Sequence, residues 1–431
     1  MYRNIIDTLA AWYESDKQVL LLKGAKGVGK TWTIIDFAAA FFENYLVVDF
    51  EKESDFLNLF LKSVDAERLE GRIRSRLKNT VDREIVFDDK QLLIFDEAQL
   101  LKKPLPGIMA YAMQRPDVRI CIVTSWVGSL EGEDFYDDLE IVHMYPMTFE
   151  EFLTANKAQH LCKYIEKQKL EVIAADVKKE IKRYLKLFMM TGGMPEVVQD
   201  YVKYQSFVHT DAILTRQLSE IRSFIRVMVP HALERKVLQI WDSIPAQLTK
   251  ENRKFMYGYV DEKARSREYE GAVNWLVNTG FVRRVNRVAE GVAPLADSVD
   301  MKSFELYHLD HGLLRDMCNK PLEIMENEDE IFEMLDGLLT EQYVVSELNM
   351  NANVKALYFW ISGATAKVDF VFEDDGEVIP VDVQSKVENR VQSIRVFQKK
   401  YNNRMSIRIS LEDLSFGKGI LNIPLYGLWN F

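Results

Sequence analysis

Eight residues near the N-terminus, Gly24-Ala25-Lys26-Gly27-Val28-Gly29-Lys30-Thr31, fit the pattern G-x-x-x-x-G-K-[ST]. The types and their spacing suit one task, holding a chain of phosphates. Glycines let the backbone curl so that its N–H groups face an anion. A helix starting at the motif adds a favourable dipole. Lys30 is expected to reach the β- and γ-phosphates, and the Thr31 hydroxyl to bind Mg²⁺. A second segment, "LLIFDEAQ", sets Asp96 and Glu97 after four apolar residues. Asp96 suits a contact to the magnesium shell. Glu97 suits the base that orients and activates water for attack on the γ-phosphate. A third apolar run ends at Thr124-Ser125, whose hydroxyls are placed for the γ-phosphate or the attacking water. Chance glycine turns and acidic helix caps are the bland alternatives. Strand, motif and helix standing in order argue against them.

These groups need a frame. "QVLLLKG", "YLVVDF", "QLLIFDE", "VRICIVTS" and "EIVHMYP" read as buried parallel strands, with helical stretches such as "KTWTIIDFAAAFF" between them. That alternation is an α/β doubly wound pattern. The whole chain has 431 residues, 48% of them hydrophobic and 28% charged, so about three domains are expected. No apolar run nears the roughly 20 residues of a membrane span. The N-terminal "MYRNIIDTLAAWYESDK" carries acids and no cleavable apolar core, so no secretory signal is expected. Cys121, Cys162 and Cys318 form neither a CxxC pair nor a zinc spacing, which points to a reducing cytoplasm. The net charge of −11 argues against a surface that binds nucleic acid everywhere, not against a local basic face.

Further segments are "YPMTFEEFL", "TGGMPEVV", "AVNWLVNTGFV", "LYHLDHGLL" and "VDFVF" followed by "IPVDV". With the two nucleotide motifs, and in this order, the chain resembles prokaryotic AAA-type ATPases of largely unknown role that end in a domain of restriction-endonuclease-like fold. The resemblance covers nearly the whole chain. It implies a P-loop ATPase domain over residues 1–145, a helical lid over 146–230, a winged helix over 231–300, and the α/β restriction-endonuclease-like domain over 301–431. Such ATPases carry a Gly-Arg pair before the "YPMTFEEF" segment, where this chain reads "DDLEIVHM". No arginine occurs between Arg119 and Arg183. Where an arginine finger operates, its loss costs roughly 10³–10⁵ in rate. Slow hydrolysis, or an arginine from elsewhere, is therefore expected.

Between Lys250 and Val288 nine basic residues face five acids, a local balance of +4. A helix bearing Arg265 and Arg267 suits a major groove, with "VRRVNR" as a wing on phosphates. A solvated basic face or a protein-docking module reads equally well. "TGGMPEVV" suits a structural turn between lid helices.

Restriction-like nucleases hold Mg²⁺ with a helix carboxylate, a strand carboxylate and an acid-x-lysine on the next strand. Glu341, Asp369 and Asp382 take the acidic places, but Gln384 stands where the lysine belongs. Lys386 shares the strand face of Asp382 and Gln384, ~6.6 Å beyond Gln384 at ~3.3 Å per residue. Three readings compete: an active nuclease with a displaced lysine, a nucleic-acid-binding relic, and a protein-interaction module. A weak or absent nuclease comes first. Two functions follow. One is a cytoplasmic, ATP- and Mg²⁺-using machine on DNA. The other is a nucleotide-controlled switch or scaffold for a protein partner. Homo-oligomers fit both, and no membrane partner is expected.

Overall fold

The computed structural model describes residues 1–60, 64–77, 85–101, 104–125, 136–167, 173–250, 252–319, 330–334, 337–351, 353–363, 366–385 and 392–430. They fall into two compact units, residues 2–145 with 278–280, and residues 146–277 with 281–431 and Met1.

The first unit holds a five-stranded sheet of β1 (Val19–Lys23), β2 (Asn44–Asp49), β3 (Gln91–Asp96), β4 (Arg119–Thr124) and β5 (Leu139–His143). The order is β2-β3-β4-β1-β5, and every pairing is parallel. The five apolar runs form these strands because helices α1 (Ile5–Glu14), α2 (Lys30–Phe41), α3 (Ala66–Leu77) and α4 (Pro104–Gln114) alternate with them. β3 is buried at every position, as a central strand requires. The chain leaves β1 and returns at β2 on the far edge, so β1 and β3 flank β4. Ligands of open parallel sheets bind at such a reversal, beyond the carboxyl ends of the strands.

The second unit begins with helices α5 (Phe149–Ala155), α6 (Gln159–Glu166), α7 (Ala175–Thr191), α8 (Pro195–Tyr204) and α9 (Thr210–Met228). Helices α10 (His231–Leu248) and α11 (Ser266–Asn278) follow. A hairpin of β6 (Val282–Val288) and β7 (Val299–His308) comes next, then α12 (His311–Met317), α13 (Glu330–Glu333) and α14 (Leu338–Met350). The last elements are β8 (Tyr358–Ser362), β9 (Ala366–Asp374), β10 (Glu377–Val383), α15 (Gln392–Tyr401), β11 (Ser406–Ser410), β12 (Ser415–Gly417) and β13 (Ile420–Pro424). Asp375 and Gly376, both left-handed at φ 46° and 81°, turn β9 into β10.

One sheet spans this unit, in the order β12-β13-β11-β10-β9-β8-β6-β7. The hairpin is therefore not a separate module. β6 pairs antiparallel with β7 on one side and parallel with β8 on the other. The expected boundary at residue 300 falls inside β7. Among the described residues no helix is long and apolar enough to cross a membrane.

Three of the distant segments meet in this unit. Asp310 caps α12, its Oδ1 accepting from the N–H of Gly312 at 2.8 Å and of Leu313 at 3.1 Å. Its Oδ2 accepts from Gly193 N–H at 2.7 Å. The Gly193 carbonyl in turn accepts from Met147 N–H at 2.7 Å. Gly192 has φ 73°, and a Cβ there would lie 2.3 Å from Asp310 Oδ1 and 2.8 Å from Gly312 Cα. The glycine pair serves as a site of close approach for a carboxylate. The ψ of −176° at Gly192 places it in a positive-φ extended region that glycine alone enters freely, and an alanine held there costs roughly 1–3 kcal/mol. Gly192→Ala is expected to destabilise the chain by about 2–4 kcal/mol once the overlap is added. Chemical denaturation followed by circular dichroism would read this as a lowered midpoint, and an unchanged midpoint would count against the close-approach role.

Candidate nucleotide site and C-terminal acidic cluster

Gly24 to Thr31 form the turn between β1 and α2, with Gly27 at φ 91° and Gly29 at φ 92°. A Cβ on Gly24 would lie 2.1 Å from the Met144 carbonyl oxygen, so the loop passes too close to the end of β5 for any side chain. Ala25 and Val28 are buried, while Lys26 is half-buried and Gly27 exposed. Arg3 steadies the loop. Its guanidinium donates to the Val28 carbonyl at 2.9 Å and the Tyr145 carbonyl at 2.7 Å.

Lys30 starts α2, and its ammonium turns back into the loop. It donates to the carbonyls of Gly24 at 2.8 Å and Ala25 at 2.9 Å and to Ser125 Oγ at 3.2 Å. All three acceptors are uncharged. Burial therefore lowers the Lys30 pKa to about 8, although Glu97 and Asp96 pull the other way. Thr31 Oγ1 donates to Asp96 Oδ2 at 2.8 Å, while Asp96 Oδ1 accepts from Glu97 N–H at 2.8 Å. Burial pushes the Asp96 carboxyl above its ordinary range. A hydroxyl and a carboxylate side by side form an oxygen-only pair that suits a hard divalent cation.

Glu97 has a left-handed backbone at φ 53°, an unusual place for a residue with a side chain. This turn folds Gln99 back, so that its amide donates to the Glu97 carboxylate. The Gln99 carbonyl oxygen accepts from Thr124 Oγ1 at 3.2 Å and from Ser125 N–H at 3.1 Å. The structure thus brings Lys30, Thr31, Asp96, Glu97, Thr124 and Ser125 together. Gln99 and Arg3 are additions. Gln99 stood inside the quoted "LLIFDEAQ", and its polar type between Ala98 and Leu100 was the available signal. Arg3 lies 142 residues from one of its partners, with no local signal.

The C-terminal acids are arranged differently from the expectation of one shared metal pocket. Glu341 on α14 is ion-paired with Arg253 and lies 3.4 Å from Tyr307 Oη. The one hydroxyl proton of Tyr307 goes to the nearer Glu305 at 2.9 Å, and Lys367 Nζ lies 2.7 Å from Glu305. Asp369 Oδ2 accepts from Val383 N–H at 2.9 Å, and Asp382 Oδ2 from the Gln384 amide at 2.9 Å. The antiparallel register that sets Val381 opposite Phe370 brings Asp382 and Asp369 to adjoining positions. Burial, and next the charge of Asp369, push the Asp382 carboxyl up to about 7. Burial also raises Asp369. Among the described residues no three His, Cys, Asp or Glu side chains gather to hold a metal ion. A guanidinium supplies the positive charge at Glu341 instead. Lys386 lies outside the described residues.

The basic stretch is also partly spent on internal partners. Arg284 pairs with Glu270 at 2.6 Å, donates to the Met301 carbonyl at 2.6 Å and stacks on Phe304 at 4.0 Å. Arg287 turns to the Ile361 carbonyl at 3.5 Å, and Lys250 lies over the Tyr259 ring. Lys263 and Arg265 are exposed just before α11, so of the two arginines expected on the helix only Arg267 lies in it, exposed in its first turn.

Residues 16–153, which hold the whole nucleotide constellation, match the family described as an AAA domain. Residues 182–323 and 336–428 match two domains of unknown function, DUF8612 and DUF4143. No curated protein matches the chain. Among solved structures the chain is similar to a Walker-type ATPase of Pyrococcus abyssi, at 13% identity over 73% of this chain and 95% of that one, with a TM-score of 0.42. It is also similar to the RuvB Holliday junction branch migration motor of Thermotoga maritima, at 16% identity over 65% and 89%, with a TM-score of 0.29. A third is a chain in a structure of Drosophila ORC bound to DNA, at 13% identity over 77% and 94%, with a TM-score of 0.26. The family match makes residues 16–153 a P-loop AAA domain of the ATPase type.

The lowered pKa of Lys30 has a measurable sign. Phosphates of a bound nucleotide favour the charged ammonium, so binding above about pH 8 must draw a proton from solution. ATP affinity is expected to fall by about tenfold between pH 7 and 9. Calorimetry in two buffers of different ionisation heat would read the proton uptake. Uptake absent at pH 8.5 would contradict the assignment.

Proposed function

We propose that the chain is a magnesium-dependent ATPase whose second unit engages nucleic acid without cutting it. The observation that carries the ATPase reading is the meeting of three elements at one end of the parallel sheet. The P-loop brings Lys30 and Thr31, β3 brings Asp96 and Glu97, and β4 brings Thr124 and Ser125. Thr31 and Asp96 would hold a magnesium ion, which would supply neutralising charge to the β- and γ-phosphates. The ammonium of Lys30 exchanges its three neutral acceptors for phosphate oxygens. The Glu97 carboxylate takes a proton from the attacking water. Ser125 and Thr124 turn their hydroxyls to the γ-phosphate. No arginine follows β4 before Arg183, so a second copy of the chain is one source of that group.

Helix α10, the turn at Tyr257–Tyr259, helix α11 and the β6–β7 hairpin follow one another as in a winged helix. The segment before Tyr257 runs along β7, with Phe255 N–H donating to the Phe304 carbonyl at 2.7 Å. Lys263 and Arg265 just before α11 and Arg267 in its first turn present positive charge, which supports contact with phosphates. The terminal sheet and its acids support a nuclease-like ancestry. Gln384 donates an amide to Asp382 where a catalytic amine would stand, and Arg253 holds Glu341, so cleavage is not part of the reading. The occupied Arg253, Arg284 and Arg287 favour the second reading, a nucleotide-controlled switch or scaffold for a protein partner.

Lys30→Ala is expected to abolish ATP binding or turnover, and Glu97→Gln to bind ATP with turnover reduced by at least ~10². Equal hydrolysis rates in wild type and Glu97→Gln would sink the ATPase assignment. Duplex DNA affinity is expected to weaken steeply across a salt series and to drop when Arg265 and Arg267 are both changed to Glu. No detectable binding, or binding indifferent to that change, selects the protein-partner reading. With Mg²⁺ the wild type is expected to leave supercoiled plasmid intact, and rapid linearisation would restore the nuclease.

A further inference from the structure

Gln99 stands between the two groups that must act together in ATP hydrolysis. It is buried, and each end of its amide is committed. The carbonyl oxygen accepts from Ser125 N–H at 3.1 Å and Thr124 Oγ1 at 3.2 Å. A backbone N–H can only donate, so the oxygen must face β4. The NH₂ end is then forced toward Glu97, whose carboxylate it meets. The left-handed backbone of Glu97 makes this possible, because it turns the chain so that Gln99 lies back over the end of β4. Ser125 Oγ in turn accepts from Lys30 Nζ at 3.2 Å. An unbroken chain of polar contacts runs from Lys30 through Ser125 and Gln99 to Glu97.

We infer that Gln99 is the positioning residue that links the base Glu97 to the γ-phosphate-facing end of β4. This rests on the ATPase reading of the same site. A γ-phosphate draws Lys30 away from Ser125 and claims the hydroxyls of Ser125 and Thr124. The acceptors and donors around the Gln99 carbonyl change with it, and the amide carries the change to the Glu97 carboxylate. Gln99 touches neither water nor phosphate in this scheme. It sets where the carboxylate points when the third phosphate is present.

Two substitutions separate this role from simple support of the loop. Gln99→Ala removes both ends of the link. Gln99→Glu keeps an acceptor for Ser125 N–H and Thr124, loses the donor to Glu97 and sets a second carboxylate beside the first. Both are expected to lower kcat by about tenfold or more, a part of what a general base supplies, with KM for ATP within about twofold of wild type. A residue that only braced Ser125 would leave kcat of Gln99→Glu like that of wild type, and that result overturns the proposal. A second measurement does not depend on turnover. Adding a non-hydrolysable ATP analogue is expected to alter hydrogen exchange in residues 97–101 of the wild type and not of Gln99→Ala. The same response in both chains refutes the link. Lys30→Ala, assayed alongside, keeps the two questions apart. Wild type no faster than Lys30→Ala sinks the ATPase reading, whereas turnover indifferent to Gln99→Glu sinks this inference alone.

Discussion

A single buried carboxylate, Asp310, holds the second unit in register. It accepts from the N–H groups of Gly193, Gly312 and Leu313. Each of those amides lies at a helix end or a turn, where no helical partner exists for it. A charged acceptor answers three such groups at once, and bonds to an ionised oxygen are the stronger kind. The consequences spread outward. Position 192 must be glycine because the carboxylate fills the space of any Cβ, and its backbone at φ 73°, ψ −176° ends helix α7. Helix α8 must start at Pro195, which is well suited to a first helical position. The Gly193 carbonyl then fixes Met147, one residue before the Thr148 cap and its capping box with Glu151. From the other side Glu347 of α14 accepts from Phe149 N–H at 2.8 Å. His311 contributes a ring nitrogen 2.9 Å from the Phe188 carbonyl. Helices from the start, middle and end of this unit are thus referred to one small polar centre.

The nucleotide site uses the opposite strategy. Its charges are buried and only partly matched. Lys30 meets neutral oxygens, and Asp96 gives one oxygen to a hydroxyl and the other to an amide. Burial then works against both charged forms, as the lowered Lys30 and raised Asp96 pKa values reflect. Such a site is poised to gain from a ligand that carries the missing charges.

What could be read from the sequence follows the distance between partners. The P-loop and the five strands around it are local patterns, set by glycine positions and four-to-six-residue apolar runs, and they stand where the sequence puts them. Asp96, Glu97 and Thr124 are legible because strand ends in a parallel sheet share one edge. Arg253 against Glu341 was not legible. The two lie 88 residues apart, and a basic residue in a basic stretch carries no mark of being an internal counter-ion. The glycines of "TGGMPEVV" announce a special backbone, but not that the carboxylate of Asp310, more than a hundred residues on, needs the room. The continuation of the sheet from β6 to β8 was hidden for the same reason, since strand pairing across about 70 residues leaves no periodic trace.

That continuation has a mechanical meaning. In a hairpin tethered only by its ends, a sideways pull is absorbed by bending. Here β6 pairs along its length with β7 and, through Asn286–Val288, with β8, and β8 pairs with β9, which carries Asp369. A load on the hairpin is therefore shared by several hydrogen bonds acting side by side. One strand, β8, stands between the hairpin and the strand of Asp369. The hairpin and the acids therefore belong to one hydrogen-bonded sheet, and a path of paired backbone runs from the first to the second.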